Sequence, residues 1–413
     1  MNWKPWLAGV VLLAGWAQAQ ESCHWNNVQQ RYYRMRGSTN SLIETIFFTD
    51  GAFAISHEDV GGVIVLEAAM DMMRSNWISQ EHHRMMVMGE FQLIEPTDPS
   101  RIPRTGQRWT YHDGDDGDLQ PGHSWPPRFT VPEVNTNVVV DNLTGLMWMR
   151  FASPIYGAWD FCLDMVSALD GIYDYNGWRM PTVREMESLI DLGAYNPALP
   201  GLHPFVNVTT HYWTSTGNIN NTNHAWKISV VDGAIHSWAR SNDVPYCWPV
   251  RTHTFGPSPV PKTGMTTSLR AGDDGDLQPG QLWPIPRFTI QSDTNLVFDN
   301  LWGRMWTRAD GIDTADAWWL AVQQCNEFEL GGYRDWRLPT RREGWSLLDY
   351  GRPSFLPEGH PFTGAPPSPI YWTSTSYHGI EPENWGWGIS GGAVSPAPKG
   401  TAGGAVWPVR GDW

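Results

Sequence analysis

"GWRMPTVRE" (Gly177 to Glu185) and "DWRLPTRRE" (Asp335 to Glu343) are one phrase written twice, 158 positions apart. Thr182 is followed three residues later by Glu185, and Thr340 by Glu343, which is the T-x-x-E order of a capping box. The Thr hydroxyl accepts from a free N–H of the first helical turn, while the Glu carboxylate reaches back to the Thr N–H. Pro181 and Pro339 keep the residues before them extended. Met186, Leu189 and Ile190 then recur at helical spacing. The phrase is a helix-start device, and its duplication predicts two copies of one domain.

The surrounding sequence agrees. "TGQRWTYHDGDDGDLQPGHSWPPRFT" (Thr105 to Thr130) returns as "TGMTTSLRAGDDGDLQPGQLWPIPRFT" (Thr263 to Thr289), and "NVVVDNLTGLMWMR" (Asn137 to Arg150) as "NLVFDNLWGRMWTR" (Asn295 to Arg308). "HYWTST" (His211 to Thr216) matches "IYWTST" (Ile370 to Thr375), and "CWPVR" (Cys247 to Arg251) matches "VWPVR" (Val406 to Arg410). Each copy runs for about 150 residues, an ordinary domain length. The expected layout is residues 1–19 as an export signal, 20–101 as an N-terminal segment matching neither repeat, 102–251 as repeat one, 252–260 as a Pro-rich linker, and 261–413 as repeat two. Within each copy, alternating stretches predict strands and "AWDFCLDMVSAL" (Ala158 to Leu169) and "ADAWWLAVQQCNEF" (Ala315 to Phe328) predict helices. The class is α+β, with few helices and much loop.

Composition limits the function. Lys4 followed by apolar Leu7 to Trp16 and the small residues Ala17 to Ala19 reads as a cleavable signal, too short to span a bilayer. The expected location is secreted, periplasmic or on the cell surface. A net charge of −15 argues against nucleic acid, whose phosphates need a basic face. P-loop, dinucleotide, zinc-protease and nucleophile-elbow signatures are missing, so no catalytic residue is assigned.

The order V-x-D-N-x-x-G-x-M-W, a helix with Cys, W-R-(L/M)-P-T-x-x-E, Y-W-T-S-T and a closing V-R resembles the C-terminal domain of the Legionella collagen-like adhesin, twice over. The R-(L/M)-P-T-x-x-E segment is more distantly similar to the formylglycine-generating sulfatase-modifying enzymes. That resemblance implies two tandem C-type-lectin-like domains behind a small N-terminal segment. It further implies a non-catalytic binding role, with a glycan or a surface protein as partner. The family's sulfated-polysaccharide ligands are disfavoured by the acidic balance unless a local basic patch exists or calcium bridges the charges. A structural subunit of a surface assembly is an alternative, as is a metal-dependent oxidative enzyme of formylglycine-generating type. Against the latter, only Cys247 stands near the end of repeat one, and Val406 occupies the matching place.

Four cysteines in an oxidising compartment imply disulfides. Setting Ala158 against Ala321 aligns Cys162 with Cys325. Three pairings are possible; on this alignment Cys162 pairs with Cys247, and Cys23 and Cys325 either form a second bridge or stay unpaired with each other. The acidic loops offer Asp115, Asp116 and Asp118, with Asp273, Asp274 and Asp276, either as calcium ligands or as turn residues capping backbone N–H groups. Among 26 tryptophans, pairs at matched positions (Trp148/Trp306, Trp213/Trp372, Trp226/Trp387 and others) are expected to be core. The unmatched Trp159, Trp238, Trp302, Trp319, Trp345 and Trp385 are the candidates for a ligand face. "MDMMRSNWISQEHHRMMVM" (Met70 to Met88) is open to copper binding or to flexible apolar packing.

Overall fold

A computed structural model of the chain describes residues 102–124, 127–254, 256–309, 312–363, 370–379 and 381–411, with four short strands in the first hundred residues. The chain divides into two compact units, 1–99 and 100–413. In the first, Val10–Leu12 pairs antiparallel with Ile64–Leu66, and Ser22–Trp25 with Phe53–Ser56. Most of the export signal, the turn at Asp50-Gly51 and the Met/His-rich stretch lie outside the described residues. Among the described residues no helix is long and apolar enough to cross a membrane.

The second unit holds both repeats. Repeat one contributes α1 (Asp116–Leu119), β1 (Phe129–Thr130), β2 (Val138–Asp141), β3 (Leu146–Met149), β4 (Ile155–Tyr156), α2 (Trp159–Ser167), α3 (Val183–Ser188), β5 (His211–Gly217), β6 (His224–Ser229), β7 (Ile235–Ala239), β8 (Tyr246–Cys247) and β9 (Val250–Thr252). Repeat two contributes α4 (Asp274–Leu277), β10 (Phe288–Ile290), β11 (Leu296–Asp299), β12 (Arg304–Thr307), β13 (Ile312–Ala315), α5 (Trp318–Asn326), α6 (Arg341–Ser346), β14 (Tyr371–Ser376), β15 (Trp385–Ser390), β16 (Ala393–Pro398), β17 (Gly404–Val406) and β18 (Val409–Arg410). The architecture is mixed α+β, mostly sheet. Each repeat has its own four-stranded sheet, ordered β9-β3-β2-β1 in one and β10-β11-β12-β18 in the other.

A ten-stranded sheet runs through both repeats in the order β13-β17-β14-β15-β16-β7-β6-β5-β8-β4. Its two halves meet where Ile235 of β7 pairs antiparallel with Val394 of β16. These two residues occupy the same place in their respective repeats. The seam is therefore isologous, like the interface of a two-fold dimer, but within one chain. A continuous core underlies it: Trp226 of repeat one packs edge-to-face on Tyr350 of repeat two, with ring centroids 5.2 Å apart.

Both capping boxes form as the sequence predicts. Each Glu also holds the Arg of its own phrase: Arg179 on Glu185, and Arg337 on Glu343 with nitrogen–oxygen distances of 2.6 Å. The matched tryptophans Trp148, Trp306, Trp213, Trp372, Trp226 and Trp387 are all buried, as their recurrence predicts.

The helices correct one alignment. Trp159 opens α2 and donates its indole N–H to the Thr214 carbonyl at 2.7 Å; Trp318 opens α5 and donates to the Thr373 carbonyl at 2.7 Å. These are equivalent residues, so Cys162 corresponds to Ala321 and Cys325 to Val166. The Ala158/Ala321 match was misled by aligning cysteines that sit on different turns.

Candidate functional site

The acidic loops build the join between the repeats. In each, the first Asp caps a one-turn helix: Asp115 Oδ1 accepts from the Asp118 N–H, and Asp273 Oδ1 from the Asp276 N–H, both at 2.9 Å. The Asp115 Oδ2 takes the Tyr111 N–H, and the Asp118 carboxylate takes the Gly114 N–H. The middle Asp points elsewhere. Asp116 is buried and its Oδ2 accepts from Thr105 of its own segment and from Thr375 of β14, each at 2.6 Å. Asp274 mirrors it, accepting from Thr263 at 2.7 Å and from Thr216 of β5 at 2.6 Å. Each loop thus docks on the other repeat's W-T-S-T strand. The receiving hydroxyls are themselves held, because Thr216 accepts from the Val183 N–H and Thr375 from the Arg341 N–H at the first turns of α3 and α6. Burial raises both Asp116 and Asp274 to about 7, against the pull of their threonine hydrogen bonds. Within each loop the three carboxylates diverge. Among the described residues no group of three His, Cys, Asp or Glu converges to hold an ion.

The tryptophan candidates separate sharply. Trp159 is buried beneath α2, Trp345 is buried with its N–H on the Tyr350 hydroxyl at 2.7 Å, and Trp302 is buried at the β11–β12 turn. Those three cannot present a ring on the outer surface. They escaped the matched set because Trp159 was aligned wrongly and because Thr144 and Glu187 stand opposite the other two. Trp385 is half-buried, Trp319 is 45 % exposed on α5, and Trp238 is 36 % exposed on β7.

Only Trp238 stands among groups with binding chemistry. Lys227 of β6 pairs with His236 of β7, and Ser229 with His211 of β5, so these side chains share one face of the sheet by its two-residue period. Lys227 Nζ lies 3.1 Å from the Trp238 ring centroid, and His211 approaches the same ring edge-on at 6.1 Å. Burial pushes Lys227 down to about 8, with Asp232 pulling the other way; burial and Lys227 together lower His211 and His236. Lys227 is itself buried beneath the partly exposed indole, while His211 and His236 are half-buried beside it. Sequence reading missed this cluster because the four residues are spread over three strands. Comparing the repeats position by position exposes it: Ile370, Gly388, Ser395 and Ala397 stand in place of His211, Lys227, His236 and Trp238. A Cβ on Gly388 would lie 2.3 Å from the Ile370 side chain, so in repeat two this spot is filled by isoleucine.

Cys162, Cys247 and Cys325 are buried free thiols in the structure. Cys162 and Cys247 share one hydrophobic cluster, whereas Cys325 lies in the core of repeat two. The Cys23 side chain is outside the described residues. Ser215 is buried, and His211 on the same strand lies with Nδ1 3.0 Å from the Thr210 hydroxyl.

The Lcl C-terminal domain family matches residues 137–251 and again 295–410, together more than half of the chain. The chain belongs to that family, in two tandem copies. No curated protein and no solved structure matches it.

Proposed function

We propose that this is an exported, non-catalytic, adhesin-like protein that recognises an anionic surface glycan on the Trp238 face of repeat one. The C-type-lectin-like architecture expected from the family resemblance belongs to the same proposal. The observation that carries it is the part-exposed Trp238 indole flanked by His211 and His236, with the buried Lys227 ammonium against its ring. An indole gives a sugar ring an apolar platform, and the half-buried imidazoles give hydrogen-bond donors to sulfate or carboxylate groups. Family membership supports a surface-binding role without catalysis. Repeat two, with Ile370 over Gly388, serves as the frame.

The test is a glycan array probed with the whole mature chain, with and without calcium, beside Trp238→Ala and Lys227→Gly. Binding of sulfated or uronate-containing glycans that weakens by about tenfold or more in either variant supports the reading. A chain that binds no glycan and co-purifies in a high-mass complex would make it a structural subunit instead.

A further inference from the structure

The Trp238 face gathers more basic groups than carboxylates. Lys227 is buried with its Nζ 3.1 Å from the Trp238 ring centroid. His236 is its cross-strand partner on β7, and His211 lies opposite Ser229 on β5 with its ring 6.1 Å from the same indole. Antiparallel partners project from one face of a sheet, so one ammonium and two half-buried imidazoles crowd a single spot. Arg341 of α6 adds a second cation nearby, its Nη2 on the Gly233 carbonyl in the turn between β6 and β7. The carboxylate that acts on Lys227 and on both histidines is Asp232 of that turn. Its Oδ1 already takes the Ala234 N–H at 3.1 Å, and its Oδ2 faces the Tyr377 hydroxyl at 3.5 Å.

Charge counting then decides the state of the imidazoles. Lys227 and Asp232 offset each other and Arg341 is in excess, so a proton added to either histidine meets no counter-charge. Burial, and after it Lys227, lowers both histidines below their ordinary value, with Asp232 pulling the other way. An anion seated on the indole supplies the counter-charge. An opposite charge within about 4–6 Å favours the protonated form, and a protonated imidazole donates from both nitrogens. Repeat two has no such response, because Ile370, Gly388, Ser395 and Ala397 do not titrate.

We infer that anions bind this face together with protons on His211 and His236, so that acidic glycans are held more tightly as the medium acidifies. The inference rests on the Trp238 reading above and adds its regulation. Linkage fixes the sign. If the bound anion raises the proton affinity of the imidazoles, lowering the pH must raise the affinity for the anion, by up to about tenfold per pH unit for each proton taken up.

The probe is a dextran sulfate oligosaccharide, whose sulfate esters stay ionised throughout, against unsulfated dextran. Titration calorimetry on the whole mature chain, at about pH 8, 6.5 and 5.5 and in two buffers of different ionisation enthalpy, counts the protons taken up. Dextran sulfate should bind about tenfold more tightly at the lowest pH than at the highest, with net proton uptake. His211→Gln and His236→Gln keep an N–H donor but accept no proton. Each should lower the uptake, and the double variant should flatten the profile. General repulsion by a chain of net charge −15 also eases on acidification, but that effect would persist in the double variant. Binding by the parent without proton uptake overturns the inference and leaves the glycan reading standing. Undiminished uptake in the double variant does the same, and the single variants decide the question if the double variant does not fold. A parent chain that binds dextran sulfate at no pH overturns both.

Discussion

The Asp116 carboxylate accepts a 2.6 Å hydrogen bond from the Thr375 hydroxyl across 259 positions of chain, and neither group meets water. With the Asp274–Thr216 bond it forms a reciprocal clasp, in which each repeat lends an arm to the other.

The clasp makes stability depend on pH. Asp116 and Asp274 are raised to about 7 from an ordinary 3.8. A carboxyl whose folded pKa is raised stabilises fully below its unfolded value and loses that contribution as pH climbs through the folded one. From these two groups, stability should fall between about pH 4 and pH 7. Glu343, held at about 2 by Arg337 and Arg304 despite its burial, acts oppositely and loses its contribution as pH falls from 4.5 towards 2. Melting curves from pH 4 to 8 should show the decline, and Asp116→Asn should flatten roughly half of it. A flat profile in the parent chain would remove the raised carboxyls from the account.

Thr375→Val and Thr216→Val each delete one donor to a buried carboxyl while keeping the side-chain shape. Each should cost about 1–3 kcal/mol in urea unfolding, with the m-value unchanged. A loss below a few tenths would mean the bond is matched by water in the unfolded chain.

Cut between residues 256 and 257, the chain should behave as two complementary halves. Each half alone lacks the arm that fills its W-T-S-T strand and exposes half of the shared core. Co-expressed halves should co-elute as one species and melt as one transition. Two independently folded, monomeric halves would contradict the clasp.

Cys162 and Cys247 lie in one cluster, and both are replaced in repeat two, by Ala321 and Val406. Paired replacement is the mark of residues that act together. Non-reducing peptide mapping of exported protein should return a Cys162–Cys247 bridge and reduced Cys325. Recovery of Cys162 and Cys247 as separate thiols ends that expectation.

Chelation of divalent cations should leave the melting temperature unchanged. Asp115 already takes N–H donors on both oxygens, and Asp116 is turned into the partner repeat. A drop of several degrees in EDTA, restored by calcium, would return the acidic loops to the list of metal sites.

The parts of the fold legible in the sequence are those fixed by local chemistry. Thr182 and Glu185 cap a helix wherever that helix sits, and Trp148, Trp213 and Trp226 are core, as are Trp306, Trp372 and Trp387 at the matching places. The clasp was not legible, because a duplicated "GDDGDLQPG" carries no mark of which copy it will touch. The packing of the Pro-rich stretch was not legible either: the Ser258 and Thr254 N–H groups donate to the Leu143 and Gly145 carbonyls, which lays it down on repeat one. Aligning Cys162 with Cys325 set a chemical similarity above the packing equivalence of Trp159 and Trp318. The Lys227 cluster needed strand register, which brings Lys227 beside His236 although nine positions separate them.

The seam at Ile235 and Val394 has a bearing on how such a sheet avoids growing. A lone repeat would end in an unpaired strand, β7 or β16, whose free N–H and carbonyl groups invite any other extended chain to add itself. In tandem the two vulnerable edges cover each other. The strands left outermost are β4, only two residues long, and β13, whose register against β17 is irregular. Short and irregular margins make poor templates for growth. Duplication therefore protects the sheet from self-association.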